Sequence, residues 1–205
     1  MRRYIYLLIG LLSMIIFGEL GHFVKSGPTA FDSTVAEWFR SHRTPGQVQL
    51  AQIYSALTTP EVILAALCIV LLFRQYWTRS WYLIDFVPLI LIFGAAAIAT
   101  LAKPFFDRVR PEGGLAIQID LEPSYPSAHV AFVALSGGCL LLIYSRKRAL
   151  TVLLIMLITT FTAFERLLLG AHWFSDVVGS AFLVIGCFYL MKFIEEFLAE
   201  RERVM

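Results

Sequence analysis

Charge is the scarce ingredient of this sequence. Asp, Glu, Lys and Arg make up only 16% of its 205 residues, where an ordinary soluble domain carries about a quarter. The formal net charge is +2, and no basic stripe is interleaved with aromatics, so nucleic acid is excluded as a partner. Cysteine is equally sparse. Cys68, Cys139 and Cys187 are isolated inside apolar runs without CxxC spacing, which leaves neither a disulfide framework nor a zinc site and makes them packing residues. No internal repeat, low-complexity tract or soluble-domain linker interrupts the chain, so residues 1–205 read as one domain.

What the chain has in abundance is length of hydrophobic run. Hydrophobic residues make up 59% of it, and the mean hydropathy is +0.74. Six stretches approach the ~20 apolar residues that cross a bilayer as a helix: 4–23, 60–76, 81–102, 128–145, 149–169 and 174–193. The runs are continuous rather than alternating, which argues against a barrel. The expected fold is therefore all-α, a polytopic bundle of six transmembrane helices. The first run follows Met1-Arg2-Arg3 and could pass for a signal peptide. Its length, Glu19 and the lack of a small-x-small cleavage site favour a retained anchor.

Lys and Arg set the expected orientation. With the N-terminus inside, the cytoplasmic set is Arg2, Arg3, Arg74, Arg79, Arg146, Lys147, Arg148, Lys192, Arg201 and Arg203; the outer set is Lys25, Arg40, Arg43, Lys103, Arg108, Arg110 and Arg166. The bias places both termini in the cytoplasm, and it sharpens if part of the outer set is retained for chemistry. Trp38, Trp77, Trp81 and Trp173 fall near span ends, where amphipathic rings prefer to sit. Residues 24–59 and 103–127 become the substantial outer loops. In the first, "FDSTVAEWFRS" puts Phe31, Val35, Trp38 and Phe39 on one helical face, with Asp32 or Ser33 as a cap. "PGQVQLAQIYSAL" is a weaker amphipathic pattern. Both are expected as short interfacial helices or as lids packed on the bundle.

Three polar clusters fall on that outer side. "KPFFDRVRP" supplies Lys103, Asp107, Arg108, Arg110 and Pro111 beyond span three; "PSYPSAH" supplies Ser127 and His129 at the mouth of span four; "ERLLLGAHWFSD" supplies Arg166 at the end of span five with His172 and Asp176 at the start of span six. Charge at membrane depth faces a partner or a cavity. The chemistry this set serves best is that of phosphate. Lys103, Arg110 and Arg166 suit a cationic cage, with arginine able to bind phosphate oxygens in pairs. Ser127 reads as the N-cap of span four, offering its hydroxyl and the amides that follow, Ala128 among them, to an anion without any metal. His172 and Asp176 are one helical turn apart, so the carboxylate can orient the imidazole as a nucleophile, leaving His129 as general acid.

These residues resemble the type-2 phosphatidic acid phosphatase superfamily, whose motifs K-x6-R-P, P-S-G-H and S-R-x5-H-x3-D are matched by Lys103–Pro111, Pro126–His129 and Glu165–Asp176. The resemblance implies six helices with an extracytoplasmic site in a plasma or inner membrane. It assigns phosphate binding to Lys103, Arg110, Arg166 and Ser127 with the adjacent backbone, the acid to His129, the nucleophile to His172 and its orientation to Asp176. Two positions depart from the pattern. Ala128 replaces glycine, which keeps the amide and narrows the backbone's freedom; Glu165 replaces serine, and can pair with Arg166 or repel phosphate. The expected activity is metal-independent removal of phosphate from a membrane lipid through a phosphohistidine. The family's candidate substrates are undecaprenyl diphosphate, phosphatidylglycerophosphate and phosphatidic acid, with membrane lipids as surroundings and no cofactor. Phosphotransfer to a lipid or sugar hydroxyl, and anion transport without chemistry, remain alternatives.

The remaining polar residues read as structural. Glu19 and Asp85 are interfacial or paired, with a lipid portal as the alternative for Glu19; His22 and His42 belong to outer loops. Asp107 and Arg108 are expected to pair locally. The Arg146–Arg148 cluster marks an inner boundary, and "KFIEEFLAERERVM" extends span six.

Overall fold

Elementary capping rules account for where the short helices begin. The computed structural model describes residues 2–79, 87–116, 122–143 and 148–204. Helix α1 spans Arg2–Val24, α2 Ala30–His42 and α3 Pro45–Leu57. Thr29 caps α2: its hydroxyl accepts from the Asp32 amide at 3.0 Å, while the Asp32 carboxylate takes the Thr29 amide at 3.0 Å. Thr44 and Gln47 repeat this reciprocal box at α3, followed by Pro45 in the first turn, where a missing N–H costs nothing. The cap of α2 is thus Thr29 rather than Asp32 or Ser33, because Thr29 stands one residue outside the helix with extended backbone angles. Helix α4, Pro60–Thr78, is capped by Thr59 and ends on Arg79 in the left-handed region.

The other helices are α5 Val87–Phe106, α6 Ala128–Ile143, α7 Arg148–Leu168 and α8 Phe174–Val204. Among the described residues there is no strand. Four helices are long and apolar enough to cross a membrane: α1, α4, α7 and α8. The apolar stretches of α5 and α6 are shorter, Ile90–Phe106 and Ala128–Leu140. The expected starts and ends of spans three and four run into residues 80–86 and 144–147, which lie outside the described residues, as do Trp81, Asp85, Arg146 and Lys147. Both segments of residues 24–59 expected to be short helices are helical, as α2 and α3. Only part of the α2 face turns inward, however: Phe39 is buried, while Phe31 and Trp38 are exposed.

Helix α6 is the hub, packing against α4, α5, α7 and α8. Its own Leu135 and Cys139 are buried in one cluster with Ile92 of α5 and Leu183 of α8. Outward-facing Leu8, Ile15, Ile69, Leu72, Met156 and Ile158 are all exposed, an apolar belt that water would penalise and lipid does not. Helices α1 and α8 run antiparallel and close together, because glycine faces a large residue twice. A methyl group on Gly10 would lie 2.8 Å from Leu190 Cγ, and one on Gly186 2.6 Å from Met14 Sδ. Small residues permit such approach where lipid tails give no hydrophobic drive between helices.

The antiparallel alternation brings the C-terminal ends of α1, α5 and α7 together with the N-terminal ends of α4, α6 and α8. Tyr125 pins this end: it stacks on Phe17 at 5.4 Å, meets Phe106 edge-on at 5.1 Å and donates its hydroxyl to the Phe17 carbonyl at 2.6 Å. Gly10→Val is expected to lower stability by about 1–3 kcal/mol, the usual cost of overpacking. Gly18→Val, which has nothing within 4 Å, should change it by under about 0.5 kcal/mol. Thermal unfolding in detergent compares the two.

Candidate active site

All three polar segments of the sequence reach this one end. Lys103 lies in the last turn of α5, and the segment behind it carries Arg108 and Arg110. His129 lies in the first turn of α6, Arg166 in the last turn of α7, His172 in the turn between α7 and α8, and Asp176 in the first turn of α8. That turn closes tightly because Gly170 adopts a φ of +63°, open to glycine, and because a side chain there would press on the Gly114 Cα at 3.3 Å. The Ala171 amide donates to the Arg166 carbonyl at 3.0 Å, delivering His172 straight off the end of α7.

A cavity of about 690 Å³ opens here. Lys103, Arg110, Arg166, Ala128, His129 and His172 all line it, together with Glu61, Glu122 and the apolar Pro60, Ala99 and Phe132. Two imidazoles and three cations therefore share one chamber, and its wall continues down the apolar sides of α4, α5 and α6. No cluster of His, Cys, Asp and Glu suited to a metal occurs among the described residues.

Each cation is already held. Lys103 Nζ donates to the Glu122 carboxylate. Arg166 forks onto both oxygens of Glu165 and also reaches the Ser55 hydroxyl of α3. Arg110 donates to two backbone carbonyls, Glu122 at 2.9 Å and Ala171 at 2.8 Å. The Lys103 ammonium, by hydrogen bond and charge, holds the Glu122 carboxyl below its ordinary range despite partial burial. Of the two readings of Glu165, the pairing with Arg166 is the one the geometry has.

The histidines differ in their surroundings. His172 Nδ1 lies 2.8 Å from the Ser124 carbonyl and 3.4 Å from Asp176 Oδ2. A carbonyl only accepts, so Nδ1 carries the proton and Nε2 of the neutral ring keeps its lone pair. The principal orienting bond of His172 is thus to backbone, with Asp176 behind it. Burial pulls the His172 pKa down to about 4; the hydrogen bond and charge of Asp176 raise it, while Arg110 and Arg166 lower it further. The ring is neutral at physiological pH. His129 Nε2 is buried without a hydrogen-bond partner among the described residues. Ser127 occupies the N-cap position, with the Ala131 amide 3.1 Å from its carbonyl. Its amide, however, donates to Ser180 Oγ at 2.8 Å, and its buried hydroxyl stands away from the cavity lining. Ala128, by contrast, does line the chamber.

One expectation is overturned. Arg108 does not pair with Asp107, which is exposed with a φ of +44°. It turns inward, donating to Asp176 and, at 2.9 Å, to Asp32 of α2. The positive φ of Asp107 ends α5 and reverses the chain, so successive side chains leave in opposite directions. Sequence reasoning also missed Glu122, Ser55 and Asp32. For Asp32 a signal existed in the T-x-x-D pattern of residues 29–32, a cap box that fixes where α2 starts.

Residues 85–197 match the family model described as the PAP2 superfamily. The chain belongs to the PAP2 superfamily. Its fold extends to a solved relative: the crystal structure of a transmembrane PAP2-type phosphatidylglycerolphosphate phosphatase from Bacillus subtilis aligns with a TM-score of 0.78 and 18% identity, over 91% of this chain and 96% of that one. No curated protein sequence matches. The PAP2 fold is a phosphatase fold, and with four membrane-length apolar helices this PAP2 protein is an integral membrane protein.

Glu122→Gln frees Lys103 of a competing carboxylate. It is expected to tighten orthophosphate binding about two- to fivefold, the scale of a part-exposed ion pair. Titration calorimetry on the purified protein measures it, and unchanged or weaker binding would show that the carboxylate does not compete.

Proposed function

We propose that this protein removes phosphate from a lipid phosphate or diphosphate whose tail stays in the bilayer. The observation that carries this reading is the shared chamber: two imidazoles and three cations line it together with apolar Ala99 and Phe132, about one helical turn from Lys103 and His129 respectively. An anionic head and a hydrocarbon tail are what such a chamber accommodates together.

In the proposed reaction Lys103, Arg110 and Arg166 hold the phosphoryl oxygens, with the Ala128 amide beside them. Exchange of Glu122 for a substrate oxygen completes the cage. Nε2 of His172 attacks phosphorus; a P–N bond forms, the bond to the leaving oxygen breaks, and His129 gives that oxygen a proton. Water then attacks the phosphohistidine, His129 takes its proton, the P–N bond breaks and orthophosphate leaves. Proton transfer of this kind contributes on the order of 10²–10⁴ in rate, and each donor that tightens on the transition state on the order of 10²–10³. The leaving group is a lipid alcohol or a lipid monophosphate. Undecaprenyl diphosphate, phosphatidylglycerophosphate and phosphatidic acid are the substrates to compare.

In the bilayer we place six spans, α1 and α4 to α8, with both chain ends in the cytoplasm and the chamber at the outer face. The charge bias of the loops supports this arrangement, as does the alternation that gathers α1, α5 and α7 ends with α4, α6 and α8 starts.

Phosphate release by purified protein, measured across that panel with EDTA present, tests the reading; strict metal dependence would overturn it. His172→Ala is expected to lose at least about 10³-fold in kcat while remaining folded, and near-normal turnover by that variant would remove His172 from the nucleophile's role. Because the His172 pKa is lowered to about 4, its neutral form persists as pH falls. The acid limb of kcat/KM assigned to this ring should therefore lie well below 6.5, as a rate profile across pH 4–8 would reveal.

A further inference from the structure

Behind His172 lies a network that the proposed reaction does not use. The side chains of Arg108, Asp32 and Asp176 are all 0–1% exposed. Arg108 Nη1 reaches Asp176 Oδ1 and, at 2.8 Å, Ser175 Oγ; Nη2 reaches Asp32 Oδ2 at 2.9 Å. Asp32 also takes the Ser175 amide at 2.9 Å and the Ser175 hydroxyl at 2.7 Å. The other oxygen of Asp176 takes the Trp173 amide at 2.9 Å and faces His172. Burial pushes the Asp32 carboxyl upward, but hydrogen bonds from Ser175 and Thr29 outweigh it and hold the group low, so it is ionised.

We propose that Asp32 and Arg108 are positioning residues of the phosphatase site: Asp32, from the first outer loop, holds Arg108 on Asp176 Oδ1, which leaves Oδ2 turned to His172. This rests on the reading of His172 as nucleophile. One buried cation shared by two carboxylates leaves a net charge of −1 behind the imidazole. That sign stabilises positive charge on His172, which a ring bonded to phosphorus acquires while its Nδ1 proton is retained. Charge pairs buried this way are rigid, because breaking either contact strands an unsatisfied charge. Asp32 also sits against the first amides of α8, where the helix dipole favours an anion. A single carboxylate therefore locks the start of α2 to the start of α8.

The charged and titratable groups facing His172 are Asp176 from α8, Arg110 from the segment after α5, Arg166 from α7 and His129 from α6. Asp32→Asn keeps the shape and removes one negative charge from behind this set, so the His172 pKa is expected to fall. Arg108→Gln removes the positive charge, so it should rise. In full-length protein with labelled histidine, the imidazole titration of His172 reads both shifts without substrate; the chain has four histidines, and His172→Ala assigns the signal. In the same preparations Asp32→Asn should lower kcat about tenfold or more with KM within about twofold. Ser175→Ala leaves the charges in place and should leave the His172 pKa unchanged.

Shifts of opposite sign for the two charge variants support the inference. Folded Asp32→Asn with the wild-type pKa and kcat overturns it, as does an equal shift in Ser175→Ala. If Asp32→Asn does not fold, Asp32→Glu carries the test: a lowered kcat at unchanged KM and pKa supports positioning, and wild-type kcat overturns it. Wild-type protein that releases no phosphate from any lipid would defeat the proposed function while leaving the titration shifts to judge the network.

Discussion

A guanidinium enclosed by two carboxylates is what the chamber end of this bundle is built around. In a low-dielectric interior an ion without a partner is expensive, and a buried charge pair is correspondingly hard to rearrange. Arg108 meets that requirement with partners from α2 and α8, elements separated by most of the chain. The backbone of the same segment carries further contacts: the Arg108 carbonyl accepts from the Ser124 amide at 2.7 Å, and the Val109 carbonyl accepts from the Trp173 indole at 2.7 Å. Ser124 in turn holds His172. Position therefore passes from a buried charge to a loop, and from the loop to the imidazole.

The cage is organised on the same logic. Lys103, Arg110 and Arg166 are gripped by Glu122, by backbone carbonyls and by Glu165 with Ser55. A cation held in place gives up little freedom when an anion arrives, which is the substance of electrostatic preorganisation. The two carboxylates differ in consequence. Glu165 is enclosed, and both its oxygens belong to Arg166, so it fixes the placement of that guanidinium. Glu122 is exposed at its carboxylate and can turn toward solvent. The short helices contribute as well: α3 supplies Ser55 and α2 supplies Asp32, which makes the segment between α1 and α4 part of the site's framework rather than a cover.

Much of this was legible in the amino-acid sequence. Hydropathy is a one-dimensional signal, so the helices of the bundle could be read directly, and the fixed spacings within the three polar segments marked Lys103, Arg110, His129, Arg166, His172 and Asp176 as residues that meet. Partner choice at long range is not one-dimensional. Arg108 looked bound to its neighbour Asp107, because nothing local records that the chain reverses between them or that Asp32, 76 positions away, waits on the far side. Ser127 illustrates a subtler limit. Its place before α6 was readable from pattern, whereas the engagement of its amide by Ser180 depends on how closely α8 passes. The reach of α5 to Phe106 was also hidden, since Lys103 and Pro104 resemble the end of a span rather than its last turn.

In the proposed reaction, the resident carboxylate on Lys103 bears on product release. A phosphatase with a tight cationic cage is vulnerable to its own product, because orthophosphate satisfies the same donors as substrate. Glu122 is tethered beside the cage, so its local concentration is constant however dilute the surroundings. Each time the lysine loosens its grip, the carboxylate can reclaim it and the departing ion loses one of its holds. A side chain that obstructs the chamber at rest thereby helps to clear it between turnovers.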